Sequence, residues 1–476
     1  MKKTMQGALI LWAAVAIVQQ PGAAQEQHPH EVAASSSSRF DAGLSNELAP
    51  DLLKDVMSRP AMKLSDFERM ATANNPTLRE AAAMAQRSAG QARQAGLLPN
   101  PSIGYQGEQI RGGSHRGGEQ GAFIQQTFVL GGKLKLRRRV FEEQRKEAEI
   151  GVAAQKSRVM ADIGQAFYSA LAAQEIVKLR KNLLSVATDA VHTARQLGNV
   201  GQADAPDILQ AEVEAEQASV DYIASQRQFL KEFQTLAALG GKPDVALSPL
   251  AGTLANPPQI DTDAVLESIL RTNPSVRRAE QGIATAQAEL KSARRESIPD
   301  LQIRAGVEHN FEPVNEPGTR PVGVQAFASA GVTIPIFNRN QGNVAAARAG
   351  VEQAEAEVSR VRLSARKTAQ PLIQMYLTDR MEAQRYKDEM IPRATRAYQL
   401  YLEKYKKMAS AYPQVIVSQR TLFQLQVSYM NVLKDLWSKA IALQNFTLSG
   451  GLELPASYGS QSTSLNLPGA VGGGRE

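Results

Sequence analysis

The sequence predicts a mainly helical protein with a smaller membrane β-barrel portion. Aromatic residues make up only 5% of the 476 residues, and Ala, Gln, Glu and Arg dominate long segments, which is typical of extended coiled helices. Apolar residues recur at every seventh position in these segments, so the helices are expected to pack as antiparallel coiled pairs. Between the helices lie runs of alternating apolar and polar residues, each of roughly the 9–11 residues with which a tilted strand crosses a bilayer.

The N-terminal segment, residues 1–24, is predicted to be a secretory signal peptide. Two lysines precede the apolar run Ala8–Val18, and small residues follow up to Ala24. The apolar run is too short for a helix that spans a membrane, so the mature chain is expected to be exported without a helical anchor. The chain contains no cysteine, which excludes disulfides, thiolate metal sites and a lipid on an N-terminal cysteine. Residues 25–62 are predicted to be a flexible leader.

The remainder of the chain is predicted to be a tandem duplication. Five sequence markers recur in the same order in both halves, at offsets of about 200 residues, far longer than the period of a solenoid. The clearest are the Asn-Pro pairs at Asn75 and Asn273 and the helix-to-strand junctions at Pro99 and Pro299. The predicted units are a first repeat at 63–250, a linker at 251–260, a second repeat at 261–451 and a flexible tail at 452–476.

Each repeat is predicted to contain a helix, two strands, a long helix and a return helix. The predicted helices are Leu64–Leu97, Lys133–Leu197 and Asp204–Leu239 in the first repeat, and Ala264–Ser297, Asn343–Lys407 and Pro413–Ser449 in the second. The predicted strands are Ser102–Gln109, Gly121–Phe128, Leu301–Glu308 and Val322–Ile334. The packing seam of the first long helix is predicted to consist of Ile163, Ala170, Val177, Leu184 and Val191. Pro371 lies inside the second long helix, where we expect a kink.

The strand count predicts an assembly of three chains. One chain supplies four strands, whereas single-chain membrane barrels begin at about 8. The open edges of a lone four-stranded sheet would leave backbone groups unpaired in lipid, at a cost of several kcal/mol each. Three copies would supply a twelve-stranded β-barrel with room for a channel, and the helices would continue its wall as a periplasmic α-barrel. On the third strand, the residues expected to face outer-membrane lipid are Leu301, Ile303, Ala305 and Val307, and those expected to face the lumen are Gln302, Arg304 and Glu308.

The turns between the long helices and the return helices are predicted to be hairpin tips that carry a gate. The candidate residues are Gly198, Asn199, Val200, Gly201, Asp204 and Asp207 in the first tip, and Tyr412, Pro413 and Gln414 in the second. Asp204 and Asp207 are three residues apart, so they share one face of a helix that begins there. In three copies they would place six carboxylates around one constriction. The alternative is that both residues are N-caps that point along the wall, away from the pore.

No catalytic residues, cofactor site or metal site are predicted, so the protein is not expected to be an enzyme. Gly131-Gly132-Lys133 lacks the upstream glycine and the following Ser or Thr of a phosphate-binding loop. The five histidines are not at the spacings of metal ligands. The formal net charge is +7, but both signs are interspersed along the helices, which indicates a solvated surface and no nucleic-acid partner.

The junctions between helices and strands resemble those of the TolC-like outer-membrane factor family, and the resemblance extends over nearly the whole mature length. Gln94–Pro101 resembles the first helix-to-strand junction of that family, and Gln126–Lys133 and Pro335–Asn343 resemble its two strand-to-helix junctions. The two strand-to-helix junctions, together with Ser418–Phe423, are most similar to the cobalt–zinc–cadmium branch, which serves heavy-metal efflux pumps.

The resemblance implies a homotrimer in the bacterial outer membrane with a periplasmic helical tunnel. It also implies that the tunnel tip docks onto a periplasmic adaptor protein and a proton-driven inner-membrane pump, and that the cargo is a heavy-metal cation. The chain departs from the family pattern at the second tip, where Gln414 and Val417 occupy positions that are often acidic. Two alternatives stay open: a duct of the same architecture for drug efflux or protein secretion, and a periplasmic coiled-coil adaptor.

Overall fold

Helices and one four-stranded sheet make up the part of the chain that the computed structural model describes, which is residue 56 and residues 58–112, 115–116, 118–199, 204–313, 320–407 and 412–453. The helices are α1 (Leu64–Asn74), α2 (Pro76–Ala95), α3 (Lys133–Asn199), α4 (Ala205–Leu239), α5 (Thr262–Thr272), α6 (Pro274–Arg295), α7 (Gln341–Arg385), α8 (Ile391–Lys406) and α9 (Tyr412–Gln444). The strands are β1 (Ser102–Glu108), β2 (Arg111–Gly112), β3 (His115–Arg116), β4 (Glu119–Phe128), β5 (Leu301–Pro313) and β6 (Pro321–Val332). The predicted signal peptide, nearly all of the predicted leader and all but the first two residues of the predicted tail lie outside the described residues.

The four long strands form one antiparallel sheet in the order β1-β4-β5-β6. The central pair, β4 and β5, joins the two repeats, with Ile124 opposite Ala305. All four predicted strands are confirmed, although β4 begins two residues earlier than predicted and β5 extends to Pro313. The short hairpin of β2 and β3 was not predicted. Among the helices of the described ranges, none is both long enough and apolar enough to cross a membrane.

The first helix of each repeat is interrupted at its Asn-Pro pair, so the prediction of the continuous helices Leu64–Leu97 and Ala264–Ser297 was wrong. A proline disfavours the helical conformation in the residue before it, and Asn75 and Asn273 accordingly adopt ψ angles of 121° and 127°. The proline then opens the next helix at its first position, where the missing N–H costs nothing. The break therefore follows from local backbone sterics.

Each of these asparagines also ties two helices of its own repeat together. The Asn75 side chain accepts a hydrogen bond from the amide of Thr77 (2.9 Å) and donates to the carbonyl of Leu239 at the end of α4 (3.3 Å). Asn273 does the same with the amide of Ser275 (2.8 Å) and with the carbonyl of Phe446 just after α9 (3.3 Å). The two repeats thus share one structural device, which links the start of α2 or α6 to the end of the return helix.

The second long helix follows the predicted range Asn343–Lys407 closely, but it contains a π-helical turn that the sequence analysis did not predict. A π-helical turn at Tyr386–Met390 separates α7 from α8. Pro392 follows this turn and has no N–H for the carbonyl of Asp388, four residues earlier. By contrast, α7 remains helical through Pro371, and the kink expected there stays a prediction.

The main core lies where α1, α3, α4, α7 and α9 meet. Phe67, Phe167, Phe229 and Phe233 are almost completely buried in it, and their rings pack at tilted or edge-on angles. The predicted seam of α3 is confirmed at Ile163, Ala170 and Val177, which have no exposed surface. Small side chains such as Ala170 let neighbouring helices approach closely.

A strap between the repeats, residues 245–260, crosses this core and is held by polar side chains. Gln174 is buried and pairs with both backbone groups of Leu250, accepting from its N–H (2.8 Å) and donating to its carbonyl (3.1 Å). Tyr376 donates its hydroxyl proton to the carbonyl of Pro258 (2.8 Å), and Trp437 donates to that of Leu254 (3.0 Å). These bonds satisfy backbone groups that would otherwise be buried without partners.

We predict that Asn75→Ala and Asn273→Ala each lower the free energy of unfolding by about 1–2 kcal/mol, because each change removes a helix cap. Thermal unfolding of the detergent-solubilised protein measures the effect. Asn74→Ala is the matched control, since the Asn74 side chain donates only to the carbonyl of Met70 within its own helix. Equal losses of stability in all three variants would contradict the capping role.

Candidate conduit surface and helix tips

One face of the four-stranded sheet is continuously apolar. Residues directly opposite each other in antiparallel strands point to the same face, and the register places Leu301, Ile303, Ala305 and Val307 on this face. Their partners on the neighbouring strands are Ile124, Ala122 and Phe128 of β4, with Gln126 the polar exception, and Val332, Ala330, Ala328 and Ala326 of β6. Large side chains of this face are exposed in the single chain, among them Ile103 at 80% and Val324 at 77%. The expected alternation of β5 is thus present in the structure.

The opposite face is polar and carries a row of alternating glycine and phenylalanine across all four strands. Gly104, Phe123, Gly306 and Phe327 are consecutive partners in the register. A Cβ atom on Gly104 would lie 2.5 Å from the ring of Phe123, and one on Gly306 would lie 2.7 Å from the ring of Phe327. The two rings therefore lie over the glycines, and larger residues could not replace the glycines without moving the rings.

Arg304 lies between these two rings. Its guanidinium carbon is 3.9 Å from the ring centroid of Phe123 and 5.6 Å from that of Phe327, within the range of cation–π attraction. One guanidinium nitrogen also donates a hydrogen bond to the side-chain oxygen of Gln106 on β1. Within the described residues, the buried Nε atom of Arg304 has no hydrogen-bond partner. Gln106 in turn donates to Glu108, so its side chain links the guanidinium to a carboxylate. Arg304 shares this face with Gln302 and Glu308, as the alternation of apolar and polar residues along β5 predicts.

The junction between the sheet and the helices is fixed by a buried lysine. Lys133, which is 3% exposed, forms an ion pair with Asp300 (2.6 Å) and donates to the carbonyl of Ile298 (2.8 Å). Asp300 also accepts from the amide of Leu130 (3.1 Å). Gly131 has φ +69° and packs against Ile298, so this turn requires a residue without a Cβ atom. Gly131-Gly132-Lys133 therefore has a structural role in joining the two repeats.

At the first tip, α3 ends at Asn199 and α4 begins after Asp204, while Val200 and Gly201 lie outside the described residues. Gly198 is half-buried and Asn199 is exposed. Asp204 occupies the N-cap position and is exposed, but its side chain makes no capping hydrogen bond. The proposed alternative, in which Asp204 is a side-chain N-cap, is therefore not realised in this structure.

The second tip lies beside the first. Ile416 of α9 packs with Val191 and Ala194 of α3 and with Ala211 of α4, and Tyr405 of α8 packs against the same cluster. Burial raises the pKa of the Tyr405 hydroxyl, and the negative charge of Asp207 raises that pKa further. The half-buried Asp207 is thus close to the second tip of the same chain.

Two exposed ion pairs surround this cluster of tip residues. Arg195 pairs with Glu212 (2.6 Å) between α3 and α4, and Arg420 pairs with Glu214 between α9 and α4. Tyr412 is the first residue of α9, and Pro413 and Gln414 are exposed in its first turn. Because exposed ion pairs contribute about 0–1 kcal/mol each, these two pairs add little to the apolar packing between the tips.

A comparison with known families matches most of the chain. The family described as outer membrane efflux protein matches residues 69–242 and 265–447, one match in each repeat. This chain belongs to the outer membrane efflux protein family. The two matched segments correspond closely to the two halves that the sequence duplication predicts.

Individual relatives of this outer membrane efflux protein include metal-resistance and antibiotic-efflux proteins. The chain is 26% identical over 374 residues to the cobalt-zinc-cadmium resistance protein CzcC of Cupriavidus metallidurans, covering 79% of this chain and 87% of CzcC. It is 24% identical over 438 residues to the antibiotic efflux pump outer membrane protein ArpC of Pseudomonas putida, covering 85% of this chain and 86% of ArpC. The crystal structure of the outer membrane protein VceC from Vibrio cholerae has the same fold, with a TM-score of 0.65, 17% identity and coverage of 81% and 96%.

The sequence analysis of this efflux protein missed the arrangement around Arg304 and the link between the return helices. The sequence did contain one signal for the arrangement around Arg304, because Phe327 is the only large apolar residue on the polar face of β6. Its partner Phe123 could not be assigned to that face without the register between β4 and β5. The ion pair of Arg420 with Glu214 joins residues that are 206 positions apart, and no local pattern indicates it.

Proposed function

We propose that this protein is the outer-membrane duct of a tripartite efflux system, a passive conduit through which small solutes leave the cell. The observation that carries the proposal is the four-stranded sheet with one apolar face, one polar face and two unpaired edges. An apolar face suits contact with lipid, and a polar face suits a water-filled lumen. On this proposal Leu301, Ile303, Ala305 and Val307 contact outer-membrane lipid.

The open edges support a homotrimer with a twelve-stranded barrel. β1 and β6 are the outer strands of the sheet. In hydrocarbon their unpaired N–H and C=O groups must find partners. β6 of one copy can pair antiparallel with β1 of the next, since alternate strands of the sheet run in opposite directions. Three copies then close a barrel in which every edge is paired.

The duplication supports the same assembly at the junctions. Inside one chain, the first strand-to-helix junction docks onto the second helix-to-strand junction through Lys133 and Asp300. Within the described residues, the two remaining junctions form no ion pair with each other and expose large apolar side chains, with Phe337 at 91% and Leu98 at 57% exposure. A second copy in the equivalent position would cover both residues.

The partners of such a duct are a periplasmic adaptor and a proton-driven pump in the inner membrane. The sequence has no phosphate-binding loop, so the energy for export has to come from another protein. The helix tips are the proposed docking surface, because the exposed residues Asn199, Asp204, Pro413 and Gln414 lie there. Binding of the adaptor would open the conduit by separating the weakly linked tips.

Heavy-metal cations are the proposed cargo. CzcC, whose name records resistance to cobalt, zinc and cadmium, is similar over 87% of its own length. A second candidate cargo is an antibiotic, because the similarity to the antibiotic efflux protein ArpC covers a larger part of this chain. Both cargoes are compatible with the same architecture.

Growth of a deletion strain tests the function. We expect the strain to lose tolerance to salts of divalent metals and to regain it when the gene is restored, while its tolerance to antibiotics and detergents stays unchanged. Loss of antibiotic tolerance alone would favour drug efflux. Unchanged growth on the metal salts, the antibiotics and the detergents would contradict a role in efflux.

We predict that Ile303→Arg lowers the amount of assembled trimer in the outer membrane. A charged side chain facing lipid near the bilayer midplane costs about 2–4 kcal/mol in a membrane barrel. Gln302→Arg is the matched control, because the same side chain one position earlier would face water. Trimer levels in isolated outer membranes measure both. If the control fails and Ile303→Arg assembles normally, the faces of the sheet are reversed.

We predict that divalent cations block ion current through the tip and that the double variant Asp204→Ala/Asp207→Ala relieves the block. Six carboxylates around one constriction repel each other unless they are protonated or bound to cations. Conductance in planar bilayers, with and without divalent salt, measures the effect. The trimer should assemble in both proteins, because Asp204 makes no capping hydrogen bond and an acidic residue in the first turn of a helix, such as Asp207, contributes only about 0.3–1 kcal/mol. Equal block in wild type and variant would show that the carboxylates do not face the pore.

A further inference from the structure

The strongest unexplained feature of the described residues is the positive charge of Arg304 on the polar face of the sheet. Among the four long strands, it is the only basic residue that the register places on this face, which it shares with Glu108, Glu119 and Glu308. Gln106 accepts from Arg304 and donates to Glu108, so one side chain separates the guanidinium from that carboxylate. Within the described residues, Arg304 forms no direct ion pair with these glutamates.

The position of this charge is fixed by its surroundings. The rings of Phe123 and Phe327 hold the planar guanidinium from two sides, and the Gln106 side chain accepts one of its hydrogen bonds. Gly104 and Gly306 leave the space in which the two rings lie. An arginine suits this place better than a lysine, because its flat group stacks on aromatic faces and is weakly hydrated. A side chain held in this way cannot swing away from the wall of the sheet.

We propose that Arg304 limits the preference of the barrel lumen for cations. This inference rests on the proposed function, which places the polar face toward the lumen. Three copies of Arg304 would then form one ring of positive charge at the same level of the barrel. The ring would lie within a Debye length, about 8 Å at physiological salt, of the Glu108 carboxylates and would offset part of their attraction for cations.

Reversal potentials in planar bilayers test the proposal. In a KCl gradient at low ionic strength, Arg304→Gln should raise the permeability ratio of K⁺ to Cl⁻ about two- to fivefold. Arg304→Lys should leave the ratio close to that of wild type, because it keeps the charge. Arg271→Gln is the matched control for net charge: Arg271 lies on α5, away from the sheet, and pairs with Glu267. An unchanged ratio in channels formed by Arg304→Gln would overturn the proposal while leaving the duct function intact.

Because the chain contains no cysteine, a single cysteine tests the charge after the channel has assembled. When Arg304→Cys is labelled with a cationic thiol reagent, its permeability ratio of K⁺ to Cl⁻ should move toward that of wild type. An anionic reagent should move the ratio further from that of wild type. If neither Gln nor Cys at position 304 assembles, Ser329→Cys, directly opposite Arg304, carries the same labels. An anionic label at position 329 should raise the preference for K⁺, and no response to either label would overturn the proposal. If wild type forms no channel at all, the proposed function fails together with this inference.

Discussion

The pairing of β4 with β5 is the interaction on which the rest of the structure depends. It is the only pairing among the long strands of the described residues that joins the two repeats, because β1–β4 and β5–β6 each lie within one repeat. Its register decides which residues share a face, and a shift by one residue would move every apolar side chain of one repeat to the polar face. Lys133 and Asp300 stabilise this register at the helical end of the sheet. The two-faced wall follows from this pairing.

The duplication leaves the two repeats with unequal contacts inside one chain. Each repeat caps its own return helix through an asparagine, and the first strand-to-helix junction is covered by the second repeat. The equivalent surface of the second repeat is left exposed at Phe337. One of the two similar interfaces is therefore covered within the chain, and in the proposed trimer the other would be covered by another copy. This asymmetry supports a closed ring, in which each copy covers the free surface of its neighbour.

The two ends of the proposed conduit differ in how strongly they are fixed. At the sheet, Lys133 is buried in its ion pair with Asp300, and the rings of Phe123 and Phe327, which lie over glycines, flank Arg304. At the tips, the core is small and the ion pairs of Arg195 and Arg420 are largely exposed to water. Packing that is loose and solvent-exposed opens at low free-energy cost. The distribution of contacts therefore suits a rigid barrel with a movable gate.

The sequence by itself determined the fold class, the duplication, the four strands and the periodic seam of α3, because these depend on local periodicity and on markers that recur along the chain. It also contained the Asn-Pro signals that interrupt the first helices, although their effect was underestimated. Only the tertiary structure decided that Phe123, Arg304 and Phe327 lie together and that Gln174 holds the strap. Those contacts join residues from distant parts of the chain, and they depend on strand register and helix packing, which no local pattern specifies.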